Sequence, residues 1–185
     1  MAAALVTLAG CMAPAGRVEV ARYHLPDTAA LGHGTIAVVA GPGMNPQSPV
    51  LQGHEIAVER ELTRLGYGIL RADAADQIAQ IRVERSAIEQ PVTIAPRFGF
   101  SAAGGTHGSA AGVGIALPLS RGAPVAIDLA VVIRDRATGK VLWEGRASLT
   151  AAATSPQAQT PLAAPRLASA LFSDFPGNSG ETIVP

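Results

Sequence analysis

The sequence predicts an α+β domain in which two helices pack on a largely antiparallel sheet. Several short segments alternate apolar and polar residues, as strands with one buried face do. Two other segments repeat apolar residues at helical spacing. The order along the chain is strands, helix, strands, hairpin, helix, which is typical of α+β folds. With 185 residues, one domain is expected.

Three strands are predicted before residue 90. Val18 and Val20 begin the first, residues 35–40 form the second, and the third alternates from Asp76 to Arg85. Glycine and proline directly after residue 40 end the second strand. The third strand carries the apolar residues Ile78, Ala79, Ile81 and Val83. One face of this strand is therefore expected to pack against the core, and the other to face water.

The first helix is predicted between the second and third strands. Ser48 suits the N-cap, Pro49 suits the first helical position, and Gly66 suits the end of the helix. The apolar residues of one face are Leu51, Val58, Leu62 and Leu65. The charged residues of the other face are Glu59, Arg60, Glu61 and Arg64. We expect the apolar face to pack on the sheet.

The middle of the chain is rich in glycine and alanine. Residues 92–100 look extended, but Pro96 restricts such a strand to an edge or a bend. Residues 101–111 are low in complexity and are predicted to be a flexible connection. Residues 112–119 again alternate, with glycine and alanine on one side. We assign residues 98–120 to a glycine-rich insertion in the domain.

A long C-terminal hairpin is the clearest local signal. Apolar residues alternate strictly from Val125 to Ile133, residues 135–139 suit a turn, and the alternation resumes from Val141 to Leu149. Trp143 falls on the apolar side. We expect it to lie in the core.

The last predicted element is a second helix. It begins at Thr160-Pro161 or at Ala164-Pro165 and ends at Phe175-Pro176-Gly177. Its buried side is expected to carry Leu167, Leu171 and Phe172. Residues 178–185 are predicted to be a C-terminal tail.

The N-terminal segment indicates where the protein is located. The only cysteine, Cys11, follows Leu8-Ala9-Gly10, a spacing that resembles the lipobox of bacterial lipoproteins. The resemblance implies cleavage between Gly10 and Cys11, with the lipid on Cys11. The apolar stretch is shorter than the ~20 residues of a transmembrane helix. A buried structural cysteine remains the alternative, because no Lys or Arg precedes Arg17 as the positive start of an export signal.

The lipobox and the element pattern together divide the chain. Residues 1–10 are predicted to be a signal peptide, residues 11–16 a lipidated tether and residues 17–177 the α+β domain. Met12 rather than aspartate follows the cysteine, which favours the outer membrane over the inner one. We therefore expect a lipid-anchored protein on the periplasmic face of the bacterial outer membrane.

Composition argues against several classes of partner. The chain has 14 Lys and Arg residues and 14 Asp and Glu residues, a net charge of zero. This balance gives no basic field for nucleic acid and no polybasic patch for anionic lipid. We expect contact with the membrane through the lipid anchor, a protein of the cell envelope as a candidate partner, and no nucleic acid.

No segment carries a complete catalytic or ligand motif. His54-Glu55 begins like the zinc-binding His-Glu-x-x-His, but Val58 stands where the second histidine is needed, so the pair is interpreted as solvated. The segment Gly41-Pro42-Gly43 resembles the start of a phosphate loop but is not followed by its Lys-Ser/Thr, so it is interpreted as a turn that ends the strand. Asp135 suits a turn and Asp128 an outward strand position, rather than a glycosidase pair. We predict no enzyme activity, no cofactor and no metal.

Tyr67 and Trp143 are the aromatic residues that could form a ligand platform. Packing in the core is the favoured interpretation, because alternation places Trp143 on the apolar side of the hairpin.

The order of several segments resembles a known family. The lipobox cysteine, the helix ending Glu-Leu-Thr-Arg-Leu-Gly-Tyr67, Ala-Asp73 shortly afterwards, the hairpin segment Arg-Asp135 to Trp143-Glu-Gly145 and the terminal Leu-Phe172-Ser-Asp-Phe-Pro176 are similar to the bacterial lipoproteins known as domain of unknown function 4136. The resemblance implies an exported lipoprotein with an α+β fold and implies no reaction.

From these observations we predict a structural or protein-interaction role in the cell envelope. The alternative is a periplasmic small-molecule or lipid-binding module. A binding module should have a preformed apolar pocket with a few convergent polar groups. A protein-interaction domain should instead have an exposed apolar patch or an open sheet edge.

Overall fold

The computed structural model describes residues 16–88 and 122–184. These residues form a seven-stranded mixed sheet with two helices, which confirms the predicted α+β class and the largely antiparallel sheet. The signal peptide 1–10, Cys11 and the insertion 98–120 lie outside the described residues. Within the two described ranges, no helix is both long enough and apolar enough to cross a bilayer.

The elements follow the predicted order, with two short strands added. The strands are β1 (Val18–His24), β2 (Thr35–Ala40), β3 (Gly68–Ile69), β4 (Gln77–Ala87), β5 (Pro124–Asp135), β6 (Val141–Ala152) and β7 (Thr182–Ile183). The helices are α1 (Pro49–Arg64) and α2 (Thr160–Phe172), and a short 3₁₀ turn, Pro156–Ala158, precedes α2. The sheet order is β3-β2-β4-β5-β6-β1-β7. Strand β2 pairs in parallel with β3 and β4, and the other pairs are antiparallel.

The β5–β6 hairpin lies in the sheet interior, as its strict alternation predicts. The inward side chains Val125, Ile127, Leu129, Val131 and Ile133 of β5 are all buried. At the turn, Oδ1 of Asp135 accepts hydrogen bonds from Thr138 N at 2.7 Å and Thr138 Oγ1 at 2.6 Å. These bonds, the side-chain one foremost, lower the pKa of Asp135. The predicted turn role of Asp135 is confirmed.

Helix α1 begins at Pro49 and packs the predicted apolar face inward. Leu51, Val58 and Leu62 are buried. Ser48 occupies the N-cap position, although its side chain makes no capping hydrogen bond. Beyond the helix, Gly66 has a φ of 102°, a conformation that glycine adopts without strain and that ends the helix.

Helix α2 starts at Thr160, the earlier of its two predicted starts. Pro165 lies inside the helix and cannot donate to the carbonyl of Pro161. The predicted buried residues Leu167, Leu171 and Phe172 are all in the core.

Trp143 is the largest fully buried side chain and lies where β6, α2 and the C-terminal segment meet. Its ring stacks on Phe172 at a centroid distance of 5.4 Å and packs against Phe175 at 5.2 Å. Its Nε1 donates a hydrogen bond to Pro176 O at 3.0 Å. A Cβ at Gly145 would lie 2.2 Å from the Trp143 ring, so the ring requires glycine there. The predicted core position of Trp143 is confirmed.

Part of the predicted C-terminal tail 178–185 belongs to the sheet. Thr182 and Ile183 form β7 and pair with Ala21 and Val20 of β1. The tail prediction is wrong for these two residues, because a two-residue strand is too short to show a recognisable alternation in sequence.

Arg22 is buried on the inward side of β1, where it caps the C-terminus of α2. Its Nε donates to Leu171 O and its Nη2 to Ala170 O, both at 2.9 Å. Burial lowers the pKa of this guanidinium, and Asp174 and Glu181 oppose that shift. A cation at a helix C-terminus is favourable, because unpaired carbonyls and the helix dipole face it.

Candidate interaction surfaces

His54 is buried, so the predicted solvated His54-Glu55 pair is wrong for the histidine. Only 1% of His54 is exposed, because helical spacing places it on the same face as Leu51 and Val58. Its Nδ1 lies 2.8 Å from Val50 O and therefore carries the proton, since a carbonyl oxygen only accepts. Its Nε2 has no hydrogen-bond partner. Burial lowers the pKa of His54, against the raising effect of the Val50 hydrogen bond.

The two aromatic residues considered for a ligand platform are both buried. Tyr67 is 3% exposed, and its hydroxyl accepts a hydrogen bond from Gly32 N at 2.8 Å. Burial raises the pKa of that hydroxyl. Beside it, Gln77 Nε2 donates to Ala30 O at 2.8 Å. Tyr67 and Gln77 therefore hold the loop between β1 and β2 rather than a ligand.

The remaining sequence candidates have structural roles. Gly41 N donates to Ile81 O at 2.7 Å, so the glycine turn closes onto β4 and is confirmed as a turn. Asp128 faces away from the helices and pairs with Arg146 at 3.2 Å, as its outward strand position predicts. Across residues 16–88 and 122–184, no group of three or more His, Cys, Asp or Glu side chains could hold a metal ion.

A mainly apolar groove lies between the two helices. We call it the interhelical groove; its volume is about 470 Å³. It is lined by Pro49, Val50, Gly53, Ile56, Ala57 and Arg60 of α1 and Thr160, Pro161, Ala164 and Pro165 of α2. The helices approach closely here, since a Cβ on Gly53 would lie 2.7 Å from Thr160 Cγ2. Val50 is 47% exposed and Ile56 is 59% exposed, so large apolar surface reaches solvent along the groove.

The face of the sheet opposite the helices carries charges that are largely paired with one another. A shallow depression of about 390 Å³ lies across β4, β5 and β6. Within it, Arg82 is 3.7 Å from Glu84, and Arg146 pairs with Asp128. Arg134 Nε donates to a glutamine, Gln80, at 3.2 Å. This arrangement is typical of a solvated sheet face and leaves the interhelical groove as the stronger candidate for binding.

The interhelical groove was not predicted from the sequence, although α1 carries a signal for it. Besides the buried stripe, the helix has a second stripe of small and apolar residues: Pro49, Val50, Gly53, Ile56 and Ala57. A helix with two apolar stripes contacts more than the sheet. The second half of the groove comes from α2, about 110 residues further along the chain, and local patterns do not show that proximity.

Comparisons with known proteins support the fold and leave the function open. No protein-family model matches this sequence. An uncharacterized protein of Zymomonas mobilis is 37% identical over 73 residues, which cover 37% of this chain and 28% of that relative's own length.

Two solved structures share the fold. PelC from Paraburkholderia phytofirmans, described as a dodecamer, superposes with a TM-score of 0.50 at 12% identity, over 87% of this chain and 99% of PelC. A PDZ domain protein from Parabacteroides distasonis superposes with a TM-score of 0.52 at 13% identity, over 91% of this chain and 39% of that protein.

The buried imidazole of His54 predicts that the domain loses stability in mild acid. The unfolded chain binds a proton at His54 near the ordinary pKa of 6.5, whereas burial holds the folded pKa lower. The stabilisation is therefore complete above about pH 6.5 and is lost as the pH falls, with a slope of at most ~1.4 kcal/mol per pH unit for one proton. Urea unfolding at pH 7.5 and pH 5.0 measures this loss.

His54→Leu should reduce the acid loss, and the matched control His33→Leu, at an exposed histidine, should leave it unchanged. An identical loss in wild type and His54→Leu would contradict the assignment.

Proposed function

We propose that this protein is a lipid-anchored component of the bacterial cell envelope whose domain binds a protein partner through the interhelical groove. The single observation that carries the binding proposal is the exposed apolar surface of Val50 and Ile56 beside that groove. Exposed apolar surface of this kind is typical of sites that another protein covers. The similarity of residues 8–11 to a lipobox supports the anchor and the location at the periplasmic face of the outer membrane.

The lining of the groove favours a protein over a small polar ligand. Small-molecule sites are concave and place a few convergent polar groups around the ligand, more of them when the ligand is polar. Arg60 and Thr160 are the only polar side chains among the residues that line this groove. Between two helices, an apolar groove of this kind suits an apolar side chain or an amphipathic helix of a partner.

An acyl chain is the second candidate for the groove. The volume of about 470 Å³ lies within the roughly 300–1,000 Å³ range of ligand sites, and the lining is mainly apolar. A lipid-binding module therefore remains the alternative function. A protein-binding domain would hold a partner protein in the groove in cells, whereas a lipid-binding module would hold a lipid there.

The tether would keep the groove close to the membrane. Residues 11–16 span at most ~20 Å when extended. At the start of the described domain, the carbonyl of Gly16 accepts a hydrogen bond from Arg166, the residue that follows Pro165 of the groove lining. The chain thus enters the domain beside α2. A partner in the groove would itself lie near the bilayer surface.

The shared fold is compatible with a role in assembly. PelC of Paraburkholderia phytofirmans is described as a dodecamer, so a domain of this architecture can take part in contacts between protein subunits. This likeness concerns the fold, and the proposal for the groove rests on its own exposed residues.

The lipid anchor predicts that Cys11 carries fatty acid in cells. Labelled palmitate should enter the wild-type protein, and Cys11→Ala should remain unlabelled because the thiol that accepts the lipid is absent. Met12→Ala is the control and should still be labelled. A wild-type protein without label would contradict the anchor.

The groove predicts that a charge at its rim abolishes partner binding without unfolding the domain. In intact cells, a photocrosslinking residue at the exposed position 50 of the groove should capture a defined protein, and Ile56→Arg should reduce that capture at least tenfold. Stability should change by no more than about 0.5 kcal/mol, because Ile56 is exposed.

Leu70→Arg provides the matched control, since Leu70 is an exposed apolar residue outside the groove. Its capture should equal that of wild type. Equal capture by Ile56→Arg would contradict a protein partner in the groove, and recovery of phospholipid at position 50 instead would support the lipid-binding alternative.

A further inference from the structure

Residues 82–87 of β4 have an edge that no described strand covers. Strand β4 runs to Ala87, but its parallel pairing with β2 ends at Ile81. Beyond that point, the recorded pairing of β4 is with β5, on its other edge. Within residues 16–88 and 122–184, no strand pairs with the remaining edge. Residues 84–87 are exposed, so this edge reaches solvent.

Two hydrogen bonds show which backbone groups point to that edge. Ile88 N donates toward β5 at 2.9 Å, whereas Ile81 O, on the other edge, accepts from Gly41 N at 2.7 Å. Backbone groups of successive strand residues point to alternate edges. The N–H and C=O groups of the odd-numbered residues after Ile81 therefore face the uncovered edge. These groups belong to Val83, Arg85 and Ala87, and we call them the open edge of β4.

We propose that two copies of this chain pair antiparallel through the open edge of β4, about a two-fold axis at Arg85. Unpaired N–H and C=O groups on an edge are a template for a strand of another chain. A two-fold interface requires a surface that complements itself. In this register, Val83 of each copy lies opposite Ala87 of the other. Antiparallel pairs of this kind exchange two hydrogen bonds each, so every group of the open edge has a partner.

The side chains on the outward face fit the same register. Between the hydrogen-bonded pairs, Glu84 of each copy lies opposite Ser86 of the other, with Cα atoms about 4.5 Å apart. A serine hydroxyl can donate to a carboxylate, so both contacts are favourable. A register centred on Glu84 would instead oppose two carboxylates, which is unfavourable. It would also place Ala87 opposite Ile81, whose carbonyl already accepts from Gly41 N.

The side chain of Arg85 does not block the pairing, although it lies opposite its own copy. Inward-pointing charges usually protect an edge strand from association. Here the guanidinium is held elsewhere, because Nη1 donates to Ala158 O at 2.9 Å and Nη2 to Ala153 O at 3.4 Å. Both acceptors follow β6, which lies beyond β5 when viewed from the open edge. The two guanidinium groups therefore reach away from each other.

The pairing joins the two sheets into one continuous sheet. The two-fold axis is perpendicular to that sheet, so the helices of both copies lie on the same side. No residue of β4 is among those that line the interhelical groove, and the proposal therefore stands apart from the proposed function. Because the paired segment is short, we expect a weak dimer that forms at high protein concentration.

Disulfide formation between two variants tests both the dimer and its register. In a Cys11→Ala background, full-length Glu84→Cys and Ser86→Cys proteins would be mixed in equal amounts and oxidised. The expected Cα separation of about 4.5 Å is one that a disulfide can bridge. The mixed disulfide dimer should exceed each self-linked dimer at least fivefold. The statistical excess of about twofold that random collision gives would overturn the register, as would the absence of a mixed dimer.

A proline at the open edge tests whether the backbone carries the contact. Ala87→Pro removes one N–H of the open edge and keeps the pairing with β5, which the Ala87 N–H does not face. In sedimentation equilibrium it should raise the dissociation constant of the dimer at least tenfold. Ala87→Ser keeps the N–H and should match wild type, as should Ile56→Arg in the groove. A wild-type protein that is monomeric at about 1 mM would contradict the proposal.

Amide hydrogen exchange distinguishes a second copy from cover by the chain itself. The amides of Val83, Arg85 and Ala87 in the wild-type protein should exchange more slowly as the protein concentration rises. Protection that is independent of concentration would show that another part of the same chain covers the open edge. That result would overturn the proposal even if Ala87→Pro failed to fold.

Discussion

The stacking of Trp143 on Phe172 is the contact on which the arrangement of the domain depends. Trp143 comes from the hairpin, Phe172 from the last residue of α2, and Phe175 from the segment that follows it. The bond from Trp143 Nε1 to Pro176 O fixes that segment further. The position of α2 on the sheet in turn determines where the second wall of the interhelical groove lies.

Because both helices cover the same face of the sheet, the domain has two kinds of surface. The uncovered face is exposed to water and carries paired charges such as Arg146 and Asp128. The helical face leaves Val50 and Ile56 exposed. Burial on the helical face favours the neutral form of His54. Acid is therefore expected to weaken the core.

The sequence predicts those parts of the fold whose signal is local. Strict alternation and the turn at Asp135 predict the hairpin, and Pro49 and Gly66 mark the ends of α1. The parallel pairing of β2 with β4 is not encoded locally, since it depends on α1 connecting the two strands. Arg22 and His54 break the rule that ionisable side chains are exposed, and each is buried because a hydrogen-bond acceptor is supplied by distant or helical backbone. The groove requires two helices that are far apart in sequence.

A double-mutant cycle between Trp143→Leu and Phe172→Leu tests most directly whether this stack organises the domain. Unfolding in urea would be followed by far-ultraviolet circular dichroism, because the two variants that carry Trp143→Leu lack the only tryptophan. We expect a coupling free energy of about 0.5–1.5 kcal/mol between the two rings, beyond the loss of buried area. Additive effects within about 0.3–0.5 kcal/mol would show that the rings fill space independently and would contradict the account.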